Sequence, residues 1–150
     1  MAKKLALLAI GALFGAAVAG VMSASAKPSA QPAGQKYLEH QTSSHYVDTG
    51  ASGFSAGDQF VFHSVLKQNG TKKGTVDGVC EVTAGPFGAC FATAKIGDSQ
   101  LEIQLNAPPG NNAFKAAITG GTGQYRTARG YIAIKPINQN DSYDTIYVIP

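Results

Sequence analysis

Alternation with a period of two runs through most of this chain and limits its fold more than any other feature. From Gln100 to Asn106, Leu101, Ile103 and Leu105 stand against Gln100, Glu102, Gln104 and Asn106. Successive side chains of a strand point to opposite faces, so this spacing gathers the aliphatics on one side and the polar groups on the other. Gln59 to Leu66 repeats the pattern, with Phe60, Phe62, Ser64 and Leu66 sharing a face. Thr75 to Thr83 does the same with Val76, Gly78, Cys80 and Val82. Tyr37 to Val47, Ala89 to Ile96, Ala113 to Thr119, Tyr131 to Ile137 and Tyr143 to Ile149 complete eight predicted strands. Turn signals separate them: Gly50 to Gly57, Asn69-Gly70, Gly85-Pro86, Gly97-Asp98, Pro108-Pro109-Gly110-Asn111 and Asn138 to Asp141. Helical periodicity is nearly absent, and no repeat or second domain is visible. Such a chain predicts an all-β domain, either a closed barrel or a sandwich. A barrel of about eight strands has no exposed edge and can hold one small ligand.

The N-terminus reads differently. Lys3 and Lys4 precede an apolar run from Leu5 to Ala19, and Ala24-Ser25-Ala26 supplies small residues for cleavage. This is the pattern of a secretory signal peptide over 1–26, cut after Ala26 and meeting the membrane only during export. A retained anchor is the alternative, since Leu5 to Met22 is long enough to span a bilayer. Residues 27–36, with Pro28, Pro32 and Gly34, read as a flexible leader, and 37–150 as the barrel domain. The expected location is outside the cell or in its envelope. The chain has 12 basic and 9 acidic residues. Without Lys3 and Lys4 the balance is 10 against 9, which gives no reason to invoke nucleic acid.

Cys80 and Cys90 flank Gly85-Pro86 symmetrically, as opposite positions of a hairpin do. In an oxidising compartment this spacing predicts a disulfide, with free buried thiols or a metal pair as alternatives. No His, Cys or Asp cluster shows metal-ligand spacing, and no Ser-His-Asp order stands out, so neither a metal nor a cofactor is expected.

Ile118 to Gly130 packs four glycines, Tyr125, Arg126 and Arg129 between two predicted strands. A dinucleotide loop needs a following helix whose N-terminus faces the phosphates, and only six residues separate Gly123 from Gly130. A Walker-type loop needs a Lys followed by Ser or Thr, and none follows Gly123. The segment reads as a tight structural corner built on Gly120, Gly121, Gly123, Arg129 and Gly130. The arginines are expected to bond carbonyls or a carboxylate such as Asp58 or Asp144.

Gly57-Asp58, the strand from Phe60 to Leu66, Gly74 to Val82 and finally Ala117 to Gly130 occur in an order that resembles the allene oxide cyclase barrels and their relatives, the dirigent proteins. The resemblance spans nearly all of Tyr37 to Ile149. It implies an eight-stranded antiparallel barrel, calycin-like in shape, with an apolar central cavity. It implies a function too: binding a small hydrophobic molecule and directing its cyclisation or stereoselective coupling, as a cofactor-independent isomerase or cyclase. A non-catalytic carrier on the same barrel is the alternative. Trimers occur in the plant relatives, so a homo-oligomer is implied as well. In allene oxide cyclases the first strand carries a glutamate with an amide two residues on. Aligning that glutamate gives Glu39 and Gln41, whereas aligning on Asp48 and Gly50 gives Ser43 and His45. The two alignments differ by an even number of residues, so both put Glu39, Gln41, Ser43 and His45 on one inward face. The resemblance thus nominates Glu39, Gln41, His45 and Ser64 as catalytic candidates, and Phe60, Phe62, Leu66 and Cys80 as cavity wall. The loop Gly50-Ala51-Ser52-Gly53 lacks the proline found in the cyclases.

Overall fold

The computed structural model describes residues 33–85 and 88–149. The expected signal peptide and most of the leader lie outside those residues.

Eight antiparallel strands close into a barrel in sequence order: β1 (Gln35–Val47), β2 (Gln59–Gln68), β3 (Thr71–Val82), β4 (Gly88–Ile96), β5 (Ser99–Ala107), β6 (Phe114–Gly121), β7 (Arg129–Pro136) and β8 (Asp141–Ile149). β1 pairs with both β2 and β8, so no strand edge is left open. The sandwich alternative is thereby excluded. Each predicted run became a strand, with shifts at its ends. The largest is in β3, which starts at Thr71 instead of Thr75. Asn69 and Gly70 have φ of 51° and 75°, and Gln68 faces Thr71, so strand pairing resumes directly after a two-residue turn. β1 likewise begins at Gln35, which takes the last two residues of the predicted leader into the sheet.

The strand ends sort the barrel into a base and a mouth. Tyr37, Leu66, Leu101, Ile118 and Ala128 are buried at the base. The glycine-rich corner closes the barrel there as a short 3-10 turn, Gly123–Tyr125, with Tyr125 packed against the core. Thr122 N–H donates to Gln100 O at 2.9 Å, and Gln124 N–H donates to the buried Ser99 Oγ at 3.1 Å. Arg129 Nη1 donates to Ala128 O at 2.7 Å, so it bonds a carbonyl of the corner itself. The proposed carboxylate partners lie elsewhere: Asp58 stands at the mouth end and Asp144 inside the barrel.

At the mouth, Asp58 organises the loop from Asp48 to Gly57. Its side chain is wholly buried and accepts from Tyr46 Oη at 2.6 Å and from the backbone N–H groups of Ser55, Thr49 and Gly50 at 2.5, 3.0 and 3.1 Å. The Tyr46 hydroxyl and then these amides hold its carboxyl well below the usual carboxylate range. The same bond pushes the Tyr46 phenol up to about 12. The backbone carbonyl of Asp58 accepts from Val82 N–H at 2.7 Å, which ties the loop to the end of β3.

Candidate functional site

The inward face of the barrel encloses a cavity of about 690 Å³ that opens at the mouth. Its lower wall is the aliphatic core itself: Leu66, Val76, Ala94, Ile103, Ile132 and Ile146. Phe54, Phe60 and Phe62 line the side nearer β2, and Phe54 projects from the Asp58-anchored loop with 73% of its surface exposed. Small residues create the space. A Cβ at Gly78 would run into the Phe62 ring 2.5 Å away and the Ala92 side chain 2.9 Å away. Phe62 therefore lies flat over β3 where a larger residue would push it into the cavity.

Two carboxyl groups stand in this apolar wall. Asp144 on β8 is 4% exposed, and Ser142 Oγ donates to its Oδ1 at 2.6 Å. Glu39 on β1 faces Ser142 in the register, two residues along from the Tyr37–Asp144 pair, and shares a hydrogen bond with Asp144. Burial, and then the bond to Glu39 and its negative charge, push the Asp144 carboxyl up to about 9. The site therefore favours the protonated form of the Asp144 carboxyl, which can donate a proton or hydrogen bond. Two like charges at hydrogen-bonding distance in such a site are not both sustained.

Of the nominated residues, Glu39, Gln41, Phe60, Phe62, Leu66 and Cys80 all line the cavity. Ser64 is on the same face, opposite Gln41, and is 1% exposed. Its hydroxyl has no hydrogen-bond partner among the described residues. Ser64→Ala removes an unsatisfied buried oxygen, so we expect thermal stability to hold or rise by about 0.5–1 kcal/mol, measured by thermal melting. A fall beyond about 1 kcal/mol would show that the hydroxyl has a partner.

The inward placing of Ser43 and His45 is corrected. The β1–β2 register passes from Gln41 opposite Ser64 to Ser43 opposite His63, so Thr42 is the extra residue of a β-bulge. One inserted residue reverses the parity of all that follows. Ser44 lines the cavity instead, and His45 pairs with Val61 on the exposed outer surface. Asp144 was missed as a member of the site. The alternation of β8 places Ser142, Asp144 and Ile146 on one face, but the sequence alone did not reveal which face turns inward.

The other histidines and the tyrosines of β7 and β8 stand outside the cavity. His63 Nδ1 meets Asp77 Oδ1 at 2.6 Å on the barrel exterior, and His40 Nδ1 meets Asp141 Oδ1 at 2.7 Å between β1 and β8. Tyr131 and Tyr147 stack at 4.7 Å, and neither they nor Tyr143 line the cavity. Cys80 and Cys90 form the expected disulfide, directly opposite each other on β3 and β4, with both residues in the cavity wall. Among the described residues no three His, Cys, Asp or Glu side chains are grouped to hold a metal ion.

Comparison with known proteins places this architecture. No family model and no curated protein sequence matches the chain. Solved structures do. A pyocyanin demethylase matches with a TM-score of 0.66 and 24% identity, over 75% of this chain and 98% of that one. A pterocarpan synthase dirigent protein matches at 0.60 and 19%, over 77% and 84%. A Diels–Alderase from Streptomyces koyangensis matches at 0.60 and 16%, over 74% of this chain and 61% of that protein. The chain has the eight-stranded barrel fold of the allene oxide cyclase and dirigent-like proteins.

Proposed function

We propose that this protein is an exported barrel that binds a small hydrophobic molecule in its cavity and directs its ring closure or stereoselective coupling. The observation that carries the reading is the carboxyl pair Glu39–Asp144, set among aliphatic and aromatic side chains in the wall of a cavity of about 690 Å³ whose other polar residues include Gln41, Ser44 and Asp141. An apolar wall restricts a flexible, reactive molecule to a few shapes, and holding a near-attack shape lowers the barrier without a nucleophile or cofactor. The protonated Asp144 supplies what apolar contact cannot. It donates to an oxygen on which negative charge develops, and Glu39 accepts the hydrogen bond or proton in return. Gln41 adds an amide on the same side of the cavity. The fold neighbours named for a dirigent protein and a Diels–Alderase support guided coupling or cyclisation as the type of chemistry. Export is supported by the Cys80–Cys90 disulfide and by the charged, apolar and small-residue order of residues 1–26.

A carrier needs no acid in its wall, so the buried pair favours catalysis over transport. The deciding experiment starts by identifying, through mass spectrometry, the molecule that co-purifies with the protein. That molecule, or its open-chain precursor, is then incubated with wild type and with Glu39→Gln. Wild type should yield one stereoisomer of a cyclised or coupled product. Glu39→Gln should fold normally and lose rate by about 10²-fold, the usual weight of one positioned acid–base group. Recovery of the molecule unchanged from wild type would establish the carrier instead.

A further inference from the structure

The Cys80–Cys90 disulfide does more than join two strands, because it sits where a small molecule can reach it. Both residues line the cavity near the mouth, two ladder positions inside the last β3–β4 pair, Val82 opposite Gly88. Cys80 is partly exposed, while Cys90 is 2% exposed. Gly88, close to Cys80, carries no side chain: even a Cβ there would come only within 3.8 Å of the Cys80 Cβ.

Opening the bond does not require opening the barrel. β3 and β4 are paired backbone to backbone from Gly74 opposite Ile96 to Val82 opposite Gly88, in addition to the cross-link. The reduced Cys90 also has a waiting acceptor, because its Sγ lies 3.7 Å from Gly88 O. We propose that this disulfide is a thiol-exchange site inside the cavity, addressed through the mouth by small neutral or cationic thiols. An incoming thiolate attacks Cys80 Sγ, a new sulfur–sulfur bond forms to Cys80, and the Cys80–Cys90 bond breaks. The released electron pair leaves on Cys90 Sγ, which takes a proton from water. A second thiol then cleaves the mixed disulfide. The protein gains two electrons and two protons, and two thiols leave as one external disulfide.

Charge sets the class of thiol. Every ionisable side chain among the described cavity-lining residues is acidic: Glu39, Glu81, Asp141 and Asp144. Glu81, and Asp141 with its His40 partner, stand at the mouth, so Glu81 is the exposed carboxylate within a Debye length of any thiol that enters. An anionic thiol must bring its extra negative charge past them, whereas an ammonium-bearing thiol is drawn in. The intermediate has a consequence for binding: the attached group occupies the cavity, so exchange at Cys80 displaces a bound molecule. Exchange depends only on the cavity and the disulfide, whether the cavity catalyses or carries.

The test uses the folded protein with cysteamine, 2-mercaptoethanol and 2-mercaptoethanesulfonate at equal thiolate concentration. Free thiols are trapped with iodoacetamide and counted by intact mass, while circular dichroism follows the β signal. Reduction should be proportional to thiol concentration, with cysteamine fastest and the sulfonate slowest by about tenfold, and with the β signal retained. Glu81→Gln should narrow that gap. The neutral dye Nile red at saturation should slow all three reagents. Equal rates for the three thiols, rates independent of thiol concentration, or loss of the β signal in step with reduction would each overturn the proposal. Those results would mean that the bond opens only when the barrel unfolds, or is attacked from outside the mouth.

Discussion

Asp144→Asn is expected to flatten the dependence of stability on pH and to make the barrel more stable than wild type in mild alkali. The sign follows from the direction of the shift. The folded protein holds the Asp144 proton up to about 9, whereas an unfolded chain releases it near an ordinary carboxylate value of about 4. A group raised in this way contributes its full stability below the unfolded value. That contribution declines as pH climbs toward the folded value. Wild type should therefore weaken steadily from about pH 4 to pH 9. The substituted side chain cannot ionise, and its amide can still donate to the Glu39 carboxyl. At pH 9 the variant should be the more stable of the two, read from urea melts across the pH range. Parallel curves for the two proteins would show that Asp144 is ionised in the fold. Asp58 acts in the opposite sense, because its carboxyl is held low. Its contribution is complete above about pH 4 and is lost only as pH falls below that value. Wild type should thus be most stable in mild acid, with the acid limb owed to Asp58 and the alkaline limb to Asp144.

Gly130→Ala should be the most damaging single change in the glycine-rich corner, costing about 3 kcal/mol or more. Gly130 has φ of 142°, and a Cβ there would collide with the carbonyl oxygen of Tyr147 on the neighbouring strand. That backbone cannot retreat without breaking the β7–β8 ladder at Gly130 opposite Val148. Gly120→Ala makes a sharp control, since a Cβ at Gly120 meets nothing within 4 Å and its backbone is not in the positive-φ region. It should shift stability by no more than about 0.5 kcal/mol. Similar melting temperatures for the two variants would show that the corner relaxes freely and is not a fixed base.

These two glycines show how far the sequence could be read. Period-two alternation was enough to find all eight strands, because a barrel with one face turned inward writes its core at every second residue. The glycine-rich segment could be recognised as a corner for the reason that no helix follows it. Its glycines could not be ranked, because Gly120, with open space, and Gly130, against a backbone carbonyl, are the same letter. The site was legible on the regular part of β1, where Glu39 and Gln41 point inward as the alternation requires. It failed past Thr42, because a bulge leaves no mark in the local sequence and reverses every later side chain. Asp144 escaped for a different reason. Its role depends on the closure of β8 onto β1, a contact between residues about a hundred positions apart.

The barrel interior, not its exterior, is expected to receive the small hydrophobic molecule. Leu105 lines the cavity toward the mouth end of β5, opposite Cys90, and Leu105→Trp would place an indole in the open space. Titration of wild type with Nile red should show saturable binding of one dye per chain. Leu105→Trp, with an unchanged β spectrum, should weaken that binding by at least about tenfold. Undiminished binding by a correctly folded Leu105→Trp would place the ligand on the outer surface and contradict the cavity as the functional site.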